Sequence, residues 1–172
     1  MLLWFAGLSF VLVWAVFKDT AIDYRLVMLG AVAPDLIDGL TGGEGVLHAL
    51  AFSVGLLVVV MVATRGRRHA RRRLLALPIG TFCHLVLDGM WTRTVTFWWP
   101  LFGLERPRGG LPSFERPLWL TVGMEIAGAL ALAWCWHRFG LDDPARRSTF
   151  VRTGRLSRGV LRPEPPTGAA AC

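Results

Sequence analysis

Few charged residues and few cysteines distinguish this chain. Charged residues make up 18% of it, whereas about 25% is usual in a soluble globular domain, so the composition argues against that class. The three cysteines, Cys83, Cys135 and Cys172, are far apart, which excludes a disulfide framework and a Cys-x-x-Cys metal site. No internal repeat is visible. These absences leave the apolar residues as the feature that defines the chain.

Apolar residues are abundant and grouped into runs. The 172 residues are 53% hydrophobic, with mean hydropathy +0.47, eight Trp and ten Phe, and the charges are clustered between the runs. This composition is typical of a small integral membrane protein, and the length corresponds to one domain. We therefore predict an all-α integral membrane protein.

Four apolar segments predict transmembrane helices, at about 2–17, 46–64, 74–91 and 118–137. The first segment lacks the basic residues before it and the small-x-small site after it that a cleaved signal peptide has, so we expect it to be retained. The apolar stretch 26–38 is shorter than the roughly 20 residues that a crossing takes, and it leads into a glycine-rich turn. It predicts a short re-entrant or interfacial helix that is covered by protein or lines a cavity.

Two basic segments predict the orientation. Residues 65–73 contain six arginines in nine positions, and short loops of this kind lie on the cytoplasmic side. Residues 138–172 are polar, basic and proline-containing, and they predict a mostly disordered cytoplasmic tail that follows a membrane domain of residues 1–137. Four crossings then place both termini in the cytoplasm of a multi-pass plasma-membrane protein, with residues 18–45 outside.

The net charge of +7 does not by itself predict nucleic-acid binding. Both basic segments adjoin apolar runs, where membrane topology and anionic lipid head groups explain them first. The expected partners are therefore membrane lipids and, through the basic loop and tail, a cytoplasmic protein.

The segment 81–91 places an imidazole and a carboxylate inside an apolar run. His84 and Asp88 are four residues apart, so on a helix they share a face, with about 5–6 Å between their Cβ atoms. An ionisable group inside a bilayer costs at least about 2.5 kcal/mol unless it is paired, bound to a metal or wetted. The two side chains either hydrogen-bond each other as a helix brace or belong to a larger site.

Other polar side chains are expected at the same end of the bundle. Asp35 and Asp38 follow Pro34, which suits the first turn of a helix, and helix capping in a solvated turn would also explain this pair. His48 lies in the first turn of a predicted span. Together with the pair in segment 81–91, these residues supply two imidazoles and three carboxylates. Such a mixed set suits Zn²⁺, Mn²⁺ or Fe²⁺.

Four blocks of the sequence resemble one known family. They are GAVAPDLID (30–38), VLHALAF (46–52), GTFCHLVLDGMW (80–91) and FWWPLFG (97–103). Together and in this order they resemble the membrane-bound metal-dependent hydrolase family, also described as LexA-binding, inner-membrane-associated hydrolases. The resemblance covers residues 26–103.

The resemblance implies a metal site and a hydrolytic activity. It implies that Asp35 and Asp38 form the acidic pair of the family and that His48 is the histidine at its span start. It further implies that His84 and Asp88 form the His-x-x-x-Asp helix. All five side chains are therefore candidate metal ligands, and Zn²⁺ or Mn²⁺ is the expected metal.

The expected reaction is hydrolysis of an ester or phosphoester near the outer membrane surface. A metal with an open coordination position would activate the attacking water. A carboxylate that is left free of the metal, Asp38 or Glu125, is the candidate general base. Three arginines before the last span are candidates to clamp an anionic substrate: Arg106, Arg108 and Arg116.

Two other functions fit the same residues. A non-catalytic membrane scaffold or partner-binding protein would use His84 and Asp88 as a structural cluster and the basic tail as its contact surface. An ion or small-solute carrier could use the same buried polar groups, although four spans without evident inverted repeats disfavour it. Metal content and its loss on mutation would separate the enzyme from the scaffold.

Overall fold

Helices make up the fold in the part of the chain that the computed structural model describes, residues 1–41, 45–103 and 116–157. No strand occurs in these ranges, so the all-α prediction is confirmed for them. In chain order the helices are α1 (Leu2–Phe17), α2 (Tyr24–Thr41), α3 (Leu50–Ala63), α4 (Arg68–Leu74), α5 (Ala76–Leu87), α6 (Thr94–Phe97), α7 (Leu118–Arg138) and α8 (Pro144–Thr153). There are also 3-10 turns at Val46–His48 and Met90–Thr92.

Two of the predicted apolar segments coincide with helices to within one residue, and two do not. Helices α1 and α7 correspond to the predicted spans 2–17 and 118–137. Helix α3 begins only at Leu50, and α5 has 12 residues because the arginine-rich α4 and a break at Leu75 precede it. Of the described helices, α7 alone is long and apolar enough to cross a bilayer, while α1 and α3 are apolar but shorter.

The segment predicted as a short re-entrant helix lies at the centre of the bundle. Helix α2 has 18 residues, about 27 Å at 1.5 Å per residue, and it packs along α5 and α1. Val27 and Ala31 are fully buried on it. Its apolar run looked too short for a long helix because Asp35 and Asp38, in its last two turns, belong to a polar site at that end.

Glycines allow two helix pairs to touch backbone to backbone. At the α2–α5 crossing, a Cβ on Gly30 would lie 3.2 Å from Cα of Gly80, and a Cβ on Gly80 would lie 3.0 Å from the backbone nitrogen of Ala31. At the α1–α7 crossing, a Cβ on Gly7 would lie 3.1 Å from the carbonyl carbon of Gly128. A larger residue would push each pair apart. The α2–α5 crossing therefore controls how closely the polar residues of these two helices can approach.

Aromatic rings fill the end of the bundle that lies away from the C-terminal end of α2. Phe10 stacks on Tyr24 at 4.5 Å and on Phe139 at 5.4 Å between ring centroids. Phe150 of α8 stacks on the same ring of Phe10 at 5.9 Å. The structure therefore differs from the predicted disordered tail over residues 138–157, because this part packs on the bundle.

Local signals in the sequence explain why α8 forms. Its N-terminus has Asp143 as a side-chain cap followed by Pro144, and its C-terminus has Gly154 in the left-handed region at φ 70°. The carbonyl of Gly154 accepts the N–H of Tyr24 at 2.9 Å, and Leu156 is buried. The prediction of disorder weighed the polar composition of this segment and overlooked these start and stop signals.

A buried carboxylate joins the start of α2 to residues 65–73, the arginine loop, most of which forms α4. Asp23 is 1% exposed, and its oxygens accept hydrogen bonds from Arg25 at 3.1 and 3.2 Å and from Arg73 at 3.1 Å. Asp19 pairs with Arg72 at 2.8 Å. Burial alone would raise the pKa of both carboxyls, but the hydrogen bonds and the arginine charges hold the pKa of each below its ordinary value.

These contacts bring together two segments that were predicted on opposite sides of a membrane. The prediction put residues 18–45 outside and residues 65–73 inside, yet two carboxylates of the first segment bind arginines of the second. The first turn of α1 lies at the other end of the bundle, where the N–H of Leu3 donates to Glu125 at 2.9 Å. Leu3 and Gly154 thus lie at opposite ends of the bundle.

Candidate metal centre

Three side chains from three segments meet at the C-terminal end of α2. Asp35 lies on α2, His48 in the 3-10 turn before α3, and His84 in the last turn of α5. The Nε2 atoms of the two histidines are 3.1 Å apart. Oδ1 of Asp35 lies 3.3 Å from Nε2 of His48 and 3.6 Å from Nε2 of His84. Both histidines are fully buried, and the three residues could hold a metal ion.

The backbone of α2 determines the tautomer of His84. Its Nδ1 lies 2.8 Å from the carbonyl oxygen of Ala31, and because a carbonyl can only accept, Nδ1 carries the proton. The neutral ring then has its lone pair on Nε2, facing the other two side chains. Phe5 holds the imidazole from the α1 side, with ring centroids 4.2 Å apart. Pro34 lies inside α2, three residues after Ala31, and has no N–H.

A carboxylate determines the tautomer of His48. Its Nδ1 lies 2.8 Å from Oδ2 of Asp38, and the same oxygen accepts the N–H of Gly45 at 2.9 Å. The Nδ1–H of His48 therefore donates to the carboxylate, and when the ring is neutral its Nε2 has a lone pair. A carboxylate behind a histidine orients the ring and makes it a better ligand. In the structure Asp38 contacts His48 from behind, and it is not among the three side chains that could hold a metal ion.

The spacing of the three facing atoms matches that of metal ligands. Two lone pairs that face each other repel unless a cation lies between them. In a tetrahedral site with bonds of about 2.0–2.2 Å, neighbouring ligand atoms lie about 3.3–3.6 Å apart. The observed separations of 3.1, 3.3 and 3.6 Å are close to this spacing. Two nitrogens and one oxygen suit a transition metal better than Mg²⁺ or Ca²⁺.

Asp88 lies beside this group and is not part of it. Its N–H donates to the carbonyl of His84 at 2.9 Å, and it ends α5. Nη2 of Arg116 lies 3.0 Å from Oδ1 of Asp88 and donates to the backbone carbonyl of Asp88 at 2.8 Å. Within the described ranges neither buried carboxylate oxygen has a hydrogen bond of good geometry. The predicted brace between His84 and Asp88 is absent, since both ring nitrogens of His84 have other partners.

The remaining predicted site residues have different positions. Glu125 accepts the N–H of Leu3, so its carboxylate stabilises the first turn of α1, and the structure does not bring it into the metal-ligand group. Arg116 contacts Asp88 at the edge of the site. Arg106 and Arg108 lie outside the described residues.

Two contributors to the site were missed at the level of sequence. The carbonyl of Ala31 fixes the tautomer of His84, and no residue type signals a backbone acceptor. The close contact of Gly30 with Gly80 brings α2 and α5 together. Its signal in the sequence is a glycine inside each helix, one turn before Pro34 in α2 and one turn before His84 in α5.

No family model, curated protein or solved structure matches this chain. The resemblance carried by the four sequence blocks therefore stays a prediction.

Proposed function

We propose that this protein is a membrane-embedded, metal-dependent hydrolase that acts on an ester or phosphoester with a metal-activated water. The supporting observation is the spacing of 3.1 to 3.6 Å among one carboxylate oxygen and two imidazole nitrogens. Asp35, His48 and His84 would be the ligands. Three protein ligands leave a coordination position open, which is the arrangement of catalytic rather than structural zinc sites.

The side chains around the ligands support this chemistry. Zn²⁺ or Mn²⁺ is the proposed metal, and when bound it would make hydroxide available near neutral pH. Asp38 accepts a hydrogen bond from the Nδ1–H of His48, which leaves Nε2 of this ring available as a ligand. Asp88 is the proposed proton acceptor, because its carboxylate is buried beside the candidate ligands and pairs with Arg116 at 3.0 Å.

Arg116 is the proposed contact for an anionic substrate. Its side chain is 20% exposed and pairs with Asp88 at the edge of the site. A guanidinium has five N–H donors, so donors remain for a phosphate or carboxylate after this contact. Arg106 and Arg108 remain proposed contacts of the same kind.

Exposed apolar surface supports the membrane location. Large apolar side chains of α1, α3 and α7 face outward, including Leu2, Val16, Val58, Val62, Leu118, Trp119, Ile126, Leu130 and Trp134. Burying such side chains in lipid removes them from water, and extensive exposed apolar surface is typical of interaction sites and membrane-facing helices. The arginine loop and α8 share one end of the bundle, and we propose that this end is cytoplasmic and that the metal centre is near the outer surface.

A non-catalytic structural cluster is the second candidate, and the surroundings of His48 favour it. Carboxylates flank both ring nitrogens of His48, Asp38 at 2.8 Å and Asp35 at 3.3 Å. An additional proton on Nε2 of His48 would therefore satisfy these contacts without a metal. In this case the cluster would hold α2, α5 and the turn before α3 together.

Metal content separates the two candidates. The protein is purified in detergent without chelator, resupplied with Zn²⁺ and Mn²⁺, and analysed by inductively coupled plasma mass spectrometry. We expect about one equivalent in the wild type and background in His84→Ala. His137→Ala is the matched control, because this histidine side chain is 76% exposed, and it should keep the metal. Background metal in the wild type, or equal metal in His84→Ala, would leave the structural cluster as the explanation.

A further inference from the structure

An apolar groove runs along the bundle beside the candidate metal centre. It lies between α1, α3 and α5 and has a volume of about 340 Å³. Apolar side chains line it almost completely, among them Leu12, Val16, Leu57 and Ile79. The only hydroxyl in this lining belongs to Ser53.

Ser53 supplies the groove with a buried polar group. The residue is 4% exposed, and its Oγ has no hydrogen-bond partner in the described part of the chain. A buried hydroxyl is costly to leave unpaired. Water is a poor partner for it, because an ordered water needs two to four polar groups and the lining offers one. An apolar molecule that carries an oxygen acceptor satisfies both the lining and the hydroxyl.

The groove extends from the level of the metal centre towards the opposite end. Ser53 lies in the first turn of α3, five residues after His48. On α5 the lining residue Cys83 directly precedes His84. On α1 the ring of Phe5 packs on His84. The first α1 residue that lines the groove is Leu12, two turns after Phe5. A chain in the groove would therefore have one end near the ligands of the metal.

We propose that the groove binds the acyl chain of a membrane lipid, and that the ester or phosphoester of that lipid is the substrate. This inference rests on the proposed function and names its substrate class. One water is consumed: its oxygen bonds to the acyl carbon or the phosphorus, the bond to the leaving oxygen breaks, and that oxygen takes a proton. A carbonyl oxygen of the lipid is the acceptor for Ser53.

Lipid binding tests the groove without any need for activity. Leu57→Trp would fill the groove, and Val58→Trp is the matched control, because Val58 is the next residue of α3, is 54% exposed and does not line the groove. Native mass spectrometry with added dioleoyl phosphatidylglycerol would compare the three proteins. We expect several-fold less bound lipid in Leu57→Trp only. Equal binding in all three would overturn the inference. Equal binding with a changed oligomeric state in Leu57→Trp would assign the groove to a second copy of the chain.

Chain-length dependence tests the substrate. With metal-loaded protein, we expect Leu57→Trp to lose hydrolysis of dioleoyl phosphatidylglycerol and to keep hydrolysis of the dihexanoyl lipid, with unchanged metal content. Release of fatty acid would identify an acyl ester as the bond, and release of diacylglycerol or phosphatidic acid would identify a phosphoester. Equal losses of hydrolysis with both lipids would overturn the proposed role of the groove but not the proposed hydrolase activity. Wild-type protein that binds no metal and hydrolyses neither lipid would instead overturn the proposed function.

Ser53→Ala is the second variant, in case the tryptophan prevents folding. It removes the hydroxyl and leaves the shape of the groove. We expect weaker binding of dioleoyl phosphatidylglycerol with unchanged metal content. Unchanged lipid binding would overturn the role of Ser53 as the polar contact.

Discussion

Nδ1 of His48 lies 2.8 Å from Oδ2 of Asp38, so the carboxylate holds the far side of the ring while Nε2 faces Asp35 and His84. Two neighbouring aspartates on α2 thus contact opposite sides of one imidazole. Asp35 lies at the C-terminal end of the helix with its oxygen among the candidate ligands, and Asp38 reaches the same histidine from behind. The contact also makes a testable distinction between a ligand and a supporting residue.

Asp38→Asn should weaken metal binding without abolishing it. The amide can still accept from Nδ1–H of His48 but loses the charge, so we expect metal affinity to fall about 10- to 100-fold. Competition with a chelator of known affinity measures the change. Asp142→Asn, whose side chain is 64% exposed, should bind metal as the wild type does. Complete loss of metal, as expected for His84→Ala, would return Asp38 to the ligand set.

Gly80→Ala should damage both stability and the metal centre. A Cβ there meets backbone atoms of α2, so the helices must separate, at a cost of about 1–3 kcal/mol in unfolding free energy. The separation also moves His84 away from Asp35. Thermal unfolding in detergent and metal content measure the two effects. Gly55→Ala is the control, because a Cβ there has nothing within 4 Å, and it should be neutral or stabilising.

Glu125→Gln should leave the chemistry unchanged. The side chain can still accept the N–H of Leu3, but it loses the favourable charge at the start of α1, which is worth about 0.3–1 kcal/mol. We expect a slightly lower unfolding temperature, unchanged metal content and an unchanged rate of ester hydrolysis. A rate that falls by about 100-fold or more would restore the predicted role of Glu125 as general base.

Asp23→Asn should destabilise the protein at neutral pH and much less in acid. Arg25 and Arg73 hold the pKa of Asp23 below its ordinary value, so its stabilisation is present above that value and disappears as the pH falls through the lowered pKa. At pH 7 we expect the free energy of unfolding to fall by about 1.5–3 kcal/mol, the usual contribution of hydrogen bonds to a charged group. Thermal unfolding of both proteins at pH 7 and pH 3 measures it. A difference that is just as large at pH 3 would assign the effect to packing.

The sequence predicted the candidate ligands better than their arrangement. Asp35, His48 and His84 were all among the five predicted ligands, because ionisable groups in apolar runs are costly and few. The roles of the other two could not be predicted, since they depend on contacts across the bundle. Arg116 lies 28 residues along the chain from the Asp88 carbonyl that it binds, and Ala31 lies 53 residues from His84.

The sequence also misled in two segments for identifiable reasons. The apolar run of residues 26–38 predicts only a short helix, because carboxylates interrupt it. In the structure, close packing on α5 stabilises a helix of 18 residues. The polar composition of residues 138–157 predicts disorder. In the structure, Phe150 and Leu156 supply apolar contacts that hold α8 against the bundle. In both cases tertiary packing outweighed the average composition of the segment.

By itself, the sequence determined the helical class, the bounds of α1 and of the start of α7, and a short set of polar residues from which the site is made. These follow from hydrophobicity and spacing, which act locally along a helix. Only the tertiary structure decided that α2 runs through the centre, that residues 18–25 meet the arginine loop, and that two Nε2 atoms face one carboxylate. The physical reason is that the direction of a ring nitrogen depends on how closely two helices cross, and that distance is set where Gly30 meets Gly80.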